Sequence, residues 1–267
     1  MFVALTVWTG IGGQMPGDAS REINAAPKRV RKLVDLARKA KTPERADQLV
    51  SQAVTVAGSD PATGARSAEE LCQAGWMTDV GYYAAAERAV TAAQSQLERF
   101  APGSPSLGRA YEMHGRVCVS LANPTEGQYW LRRAITLFRQ PADNPENLKT
   151  LDLIGQCLYQ QGDFARSEHL LRQALALANQ ERIVVPRIYA DLGSVLCDQG
   201  QLVEAKSLFL QELNEETKRG PGSRAVAAAY IHLGCLSEAR GRYAEALAWF
   251  RKSLEIRSRL EPFHLNC

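Results

Sequence analysis

The chain has 267 residues, is 45% hydrophobic and 23% charged, and carries a net charge of +3, an ordinary balance for a water-soluble fold with its own core. So small a net charge excludes the strongly basic character of a protein built for nucleic acid. Its six cysteines include no CxxC pair, which removes a zinc ribbon or a thioredoxin-like motif.

In chain order, the first feature is an apolar stretch, Phe2 to Trp8, followed by a glycine cluster at Gly10, Gly12 and Gly13. It is too short to span a bilayer. It reads either as the tail of a secretory signal or as a packed or disordered arm. Residues 1–26 are therefore expected to be a flexible or signal-like segment, leading into a helix with Pro27 in its first turn. Lys28, Arg29, Arg31, Lys32, Arg38, Lys39 and Lys41 follow against one acid, Asp35. This run reads as the solvated face of a capping helix; the competing reading is an anionic partner such as a membrane surface or nucleic acid.

From there one pattern recurs six times. A small residue stands at Ala46, Ala86, Gly127, Ser167, Ala205 and Ala246, at spacings of 40, 41, 40, 38 and 41. Four places after each comes a large apolar residue: Val50, Val90, Leu131, Leu171, Phe209 and Phe250. In four copies a glycine (Gly81, Gly162, Gly200, Gly241) lies five places before the small residue. Each unit predicts two helices joined by a tight turn, and hairpins that cannot bury their apolar faces alone must stack.

Residues Leu151 to Ala178 show the pattern most clearly. Leu151, Ile154 and Leu158, then Phe164, Ser167, Leu171 and Ala174, keep helical spacing on either side of Gly162. Gly162 is expected to end the first helix in the left-handed conformation. Gly155 sits mid-helix, where glycine costs about 1 kcal/mol against alanine; close approach of two helix backbones explains it. Gly115, Gly193, Gly234 and Ala74 hold the same position. Phe164, Leu202 and Tyr243 are expected to anchor the second helix on the first.

The runs LIGQCLYQQGDFARSEHLLRQAL (Leu153–Leu175), DLGSVLCDQGQLVEAKSLFLQEL (Asp191–Leu213) and IHLGCLSEARGRYAEALAWFRKSL (Ile231–Leu254) resemble tetratricopeptide repeats. The period exceeds the usual 34, and EALAWFRKSLEIRSRLEP (Glu245–Pro262) resembles the extended repeats of the kinesin light chain type. The resemblance is clear over 150–260. It is moderate over 68–140, where Ala122 replaces the turn glycine and Pro124 the aromatic anchor. It is degenerate over 28–58, where Val34 and Lys41 stand at the two glycine positions. It implies an all-α, right-handed superhelical solenoid of about six hairpins over 27–262, with 263–267 as a tail. Its concave face, lined by first helices, would receive a peptide or helix.

No sequence motif for catalysis stands out. There is no phosphate loop, HExxH or GxSxG. His114 with Cys118 and His232 with Cys235 lie one helical turn apart, but two ligands make a poor metal site, and packing explains them. His169 and His264 carry no motif. Cys72, Cys118, Cys157, Cys197 and Cys235 fall in first helices, about one per repeat, as buried packing residues of a reducing compartment. The chain is expected to be non-enzymatic, with no cofactor and no metal.

Family geometry places Arg109, Glu112, Arg116, Lys149, Asp152, Gln156, Tyr159, Arg187, Asp191, Ser194, Asp198, Ile231, His232, Cys235 and Glu238 toward the concave face. The basic members would hold a partner's carboxylates and Tyr159 would supply an anchor. The competing reading is a solvated face with local ion pairs. The asparagines typical of chaperone clamps and kinesin-light-chain grooves are missing. Trp249, Ile256 and Leu260 are expected to leave an apolar stripe for self-association or a partner. These features describe a cytoplasmic interaction scaffold. A regulatory peptide sensor acting in trans and an exported envelope assembly factor are the alternatives.

Overall fold

The computed structural model describes residues 25–58, 63–138 and 145–260. The expectations for residues 1–24, His264 and the 263–267 tail lie outside them. The described residues form twelve α-helices and no strand. In order they are α1 (Ala25–Arg38), α2 (Pro43–Gly58), α3 (Gly64–Cys72), α4 (Tyr83–Phe100), α5 (Pro105–Ser120), α6 (Pro124–Leu137), α7 (Pro145–Gln160), α8 (Phe164–Gln180), α9 (Pro186–Asp198), α10 (Leu202–Arg219), α11 (Arg224–Ala239) and α12 (Tyr243–Leu260). A 3₁₀ segment, Gln73–Val80, continues α3. Each odd-numbered helix packs most extensively on its successor, giving six hairpins.

The chain divides into two compact units, Met1–Ala101 and Pro102–Cys267. In the first, Val30, Val34 and Ala37 of α1 are buried, as are Ala46, Leu49, Val50, Ala53 and Ala57 of α2. The two hairpins of this unit are tied together by polar bonds. Arg31 makes a bidentate bond to Glu70 at 2.8 and 2.5 Å, Arg88 reaches Asp47, and the Tyr82 hydroxyl donates to the Ala40 carbonyl at 2.7 Å. The degenerate first repeat is therefore a complete hairpin, with valine at one glycine position and no left-handed residue in its turn.

In the second unit the helix starts follow from local chemistry. Ser104, Asn123, Asp163 and Ser223 cap α5, α6, α8 and α11 by accepting the N–H three residues on, which satisfies a donor that the helix leaves unpaired. Pro124 takes the first helical position of α6, where a missing N–H costs nothing. The turn glycines Gly162, Gly200 and Gly241 have φ of 76°, 78° and 69°. Ala122 occupies the same turn position at φ 55° despite its side chain.

The mid-helix glycines have a different cause from the one expected. A Cβ on Gly155, Gly193 or Gly234 would lie 2.8, 2.5 or 2.3 Å from the side chain of Leu171, Phe209 or Phe250 respectively. The glycine is a socket for the large apolar residue that follows the small one, and the partner is a side chain and not a backbone. At Gly115 backbone is also close, with Gly127 O 3.0 Å from the same hypothetical Cβ. The small residues Ser167, Ala205 and Ala246 are buried at this crossing, and Ser167 Oγ donates to Gly155 O at 2.7 Å. Phe164 and Leu202 pack partly buried against the core. Tyr243, expected to do the same, is 70% exposed.

Candidate functional site

The first helices α5, α7, α9 and α11 of the second unit touch one another in turn. Residues at equal distance from the socket glycine therefore form rows across them. Six places before it stand Arg109, Lys149 and Arg187, all exposed, and then Ala228. One place after it stand Arg116, Gln156, Ser194 and Cys235.

Several of the expected residues meet in one network on α7 and α9. Gln156 Nε2 donates to Asp191 Oδ2 at 2.7 Å and to Asp152 Oδ2 at 3.3 Å. Arg187 lies 3.3 Å from Asp152 and 3.6 Å from Asp191, and donates to Gln156 Oε1 at 3.1 Å. Asp152 is only 3% exposed, and its Oδ1 has no hydrogen-bond partner. Burial, and then the nearby Asp191 charge, hold its carboxyl well above the usual range; Arg187 and Gln156 oppose them. This arrangement stores two acids under one guanidinium, so Arg187 already serves carboxylates of its own chain.

Further bonds join neighbouring first helices. Thr150 donates to Glu112 at 2.9 Å, and the Tyr159 hydroxyl donates to Asp198 at 2.7 Å. That bond and burial raise the Tyr159 phenol to about 12, burial contributing most. His232 is half-buried and pairs with Glu212 of α10, at 2.8 Å between Nδ1 and Oε2. Glu212 is buried, and desolvation raises its carboxyl. Ser194 turns inward to the Ala190 carbonyl at 2.9 Å. Glu238 is exposed, Ile231 is half-buried and Arg116 is half-buried.

At α12, Trp249 and Ile256 are half-buried. Trp249 stacks on Tyr230 at 5.7 Å, with the Lys252 ammonium 4.3 Å from its centroid. Leu260 is 45% exposed. Three further exposed apolar residues join it: Tyr243, expected to be an anchor, and Leu247 and Leu254, which the sequence did not single out. The equivalents of Tyr243 and Leu254 in α8, Phe164 and Leu175, are half-buried against the core. That register was the signal available in the sequence.

Helical hairpins of this kind, stacked in register with glycine sockets, define a repeat protein. The model of the family "Tetratricopeptide repeat" matches residues 106–180 and 185–259, more than half of the chain, and the chain belongs to that family. None of the curated proteins compared with it matches. Among solved structures it is similar to BtubC (BKLC) from P. vanneervenii, at 17% identity and TM-score 0.56, covering 93% of this chain and 94% of that one. It is also similar to a Podospora anserina kinesin light chain with nearly identical TPR-like repeats, at 16% identity and TM-score 0.54, covering 74% and 96%. The third is PilW, a type IV pilus biogenesis factor, at 17% identity and TM-score 0.55, covering 91% and 96%. At these identities the likeness is one of fold. Tetratricopeptide repeats bind protein or peptide partners, and the fold is that of an interaction scaffold. No helix among the described residues is long and apolar enough to cross a membrane.

Proposed function

We propose that the protein is a non-enzymatic scaffold that receives a carboxylate-bearing peptide or helix on the first-helix face of its second unit. The observation that carries this reading is the basic row Arg109, Lys149 and Arg187, repeated at one register on three successive first helices and exposed in each. Cations at one register of a fixed frame recognise a run of acids better than scattered ones, because the frame is already ordered. Arg116 and Tyr159 stand beside the row. Gln156, Asp191 and Ser194 set its polar floor, and buried Asp152 holds Arg187 in place. His232 and Glu238 extend the face onto α11. Trp249, Ile256 and Leu260 belong to a second surface, with Tyr243, Leu247 and Leu254, that suits self-association.

The test uses bead-displayed peptides of graded acidity. The wild-type chain retains the acidic peptides at low salt and releases them as salt screens the row. Arg109→Glu with Lys149→Glu, both exposed positions, lowers retention at least about tenfold, about 1.4 kcal/mol, with helicity unchanged. Retention that ignores both substitutions defeats the assignment. The reading places the protein in the cytoplasm. The fold shared with PilW supports the alternative of an exported assembly factor, and the mass of the mature N-terminus separates the two.

A further inference from the structure

The α5/α6 hairpin departs from its neighbours in one place. The residue before the socket glycine is Ile154 in α7, Leu192 in α9 and Leu233 in α11, all buried; three places after the glycine stand Leu158 in α7 and Leu196 in α9, also buried. In α5 these two core positions hold His114 and Cys118, at 6% and 4% exposure. They lie four residues apart and share a helix face. Sequence alone leaves them as two ligands without a third. The structure supplies one: a carboxylate oxygen of Glu126, a ring nitrogen of His114 and Cys118 Sγ all lie within 4.8 Å of one another.

The backbone fixes this meeting. Gly127, beside Glu126, lets α6 approach α5 so closely that a Cβ there would lie 3.1 Å from Gly115 O and 3.3 Å from Cys118 Cβ. The Glu126 carboxylate is held from its own helix start, by Asn123 Nδ2 at 2.8 Å and by the Trp130 indole at 3.4 Å. The same indole stacks on the His114 ring at 4.7 Å. Outer groups of this kind set the direction of a ligand carboxylate and imidazole. Glu126 itself is exposed, and a small torsional shift of its side chain within these bonds closes the remaining distance. In a tetrahedral site, with bonds of about 2.0–2.3 Å, ligand atoms stand about 3.3–3.8 Å apart.

We propose that His114, Cys118 and Glu126 form a zinc site that clamps α5 to α6. Thiolate and imidazole select zinc over magnesium or calcium. Thiolate and carboxylate together balance the ion's two charges, and the Cys118 proton leaves to solvent on binding. Three protein ligands leave the fourth position of a tetrahedral ion to water. The ion joins two helices of one repeat, so binding adds directly to the stability of that hairpin.

The experiment uses the full chain, reduced and stripped by a chelator, titrated in separate arms with zinc, magnesium and cobalt(II). The expected result is one equivalent of zinc bound at least about 100-fold more tightly than magnesium. A thiolate-to-cobalt charge-transfer band and a higher thermal midpoint accompany it. Cys118→Ser abolishes the band. Glu126→Gln, compared with the wild-type chain after each has been assayed metal-free, weakens zinc at least about tenfold. No zinc uptake by the wild-type chain, a band that survives Cys118→Ser, or an affinity indifferent to Glu126→Gln each overturns the site and leaves the cluster as core packing.

Discussion

The hairpins α5/α6 and α9/α10 meet one packing requirement with different residues. In α9/α10, Gly193 receives the Phe209 ring, Ala205 is the small crossing residue, and Gly200 makes the turn at φ 78°. In α5/α6, Gly115 receives Leu131, Gly127 replaces the alanine, and Ala122 makes the turn at φ 55°. The crossing residue and its apolar knob change together: the smaller crossing residue accompanies the smaller knob and a closer backbone. The turn residue is exchangeable, and so are the core positions that hold Leu192 and Leu196 in one hairpin and His114 and Cys118 in the other. What both retain is the socket.

The largest way to break this comparison is to empty or fill a socket. Phe209→Ala is expected to cost about 3–5 kcal/mol, as core truncations of aromatic residues do. Filling is milder but discriminates between the hairpins. Gly193→Ala presses on the Phe209 ring at 2.5 Å, a side chain that turns about its own torsions. Gly115→Ala meets Leu131 at 2.4 Å and the Gly127 carbonyl at 3.0 Å, and a carbonyl cannot rotate away. Overpacking costs about 1–3 kcal/mol, offset by about 1 kcal/mol of helix propensity, so Gly115→Ala should lie at the upper end and Gly193→Ala at the lower. Urea unfolding of the two variants ranks them; the reverse order would mean that backbone approach is not what distinguishes α5/α6.

Those sockets were legible in the sequence because one glycine recurs at one register. The hairpins were legible for the same reason, and so was the all-α repeat fold. The reason for the sockets was not legible, since spacing gives a meeting point but does not say whether a side chain or a backbone fills it. The site was legible only along single helices. Gln156, Arg187 and Asp191 were marked from register, but burial of Asp152 beneath them depends on the depth to which α7 sinks between its neighbours. Glu126 and Glu212 were missed because each lies near its histidine across a turn, 12 and 20 residues away, where helical periodicity carries no information. The division at Ala101 left no mark either, because the period runs through it unchanged from Ala86 to Gly127.

The face of α7 offers a second, smaller test against α5, whose matching residue is Glu112, half-buried and bonded to Thr150. Asp152 has a raised carboxyl in the folded chain. The fold therefore binds a proton there more tightly than the unfolded chain does. This group costs nothing below the unfolded value, near pH 4, and destabilises increasingly as pH rises toward its folded value. Asp152→Asn removes that cost. Its expected effect at pH 7 is a midpoint higher by about 2–4 °C, corresponding to about 1 kcal/mol, which fades as pH falls toward 4. A gain that is equal at both pH values would show that packing, and not ionisation, separates the two chains.

The smallest effect lies in the turns, and it has opposite signs in the two hairpins. A left-handed residue with a Cβ carries about 1–2 kcal/mol of strain, whereas glycine carries none but costs entropy on folding. Ala122→Gly should therefore stabilise the chain by about 0.5–1 kcal/mol, and Gly200→Ala should destabilise it by about as much. Nothing lies within 4 Å of a Cβ built on Gly200, so conformation alone accounts for the second effect. Measured together by urea unfolding, the pair isolates the turn from the packing. If Ala122→Gly is neutral, the N–H of Asn123 to Cys118 O bond at 2.9 Å and Pro124 beyond it already hold the turn hard enough to absorb the strain. The α5/α6 hairpin would then owe its departure from the turn glycine to the proline that follows.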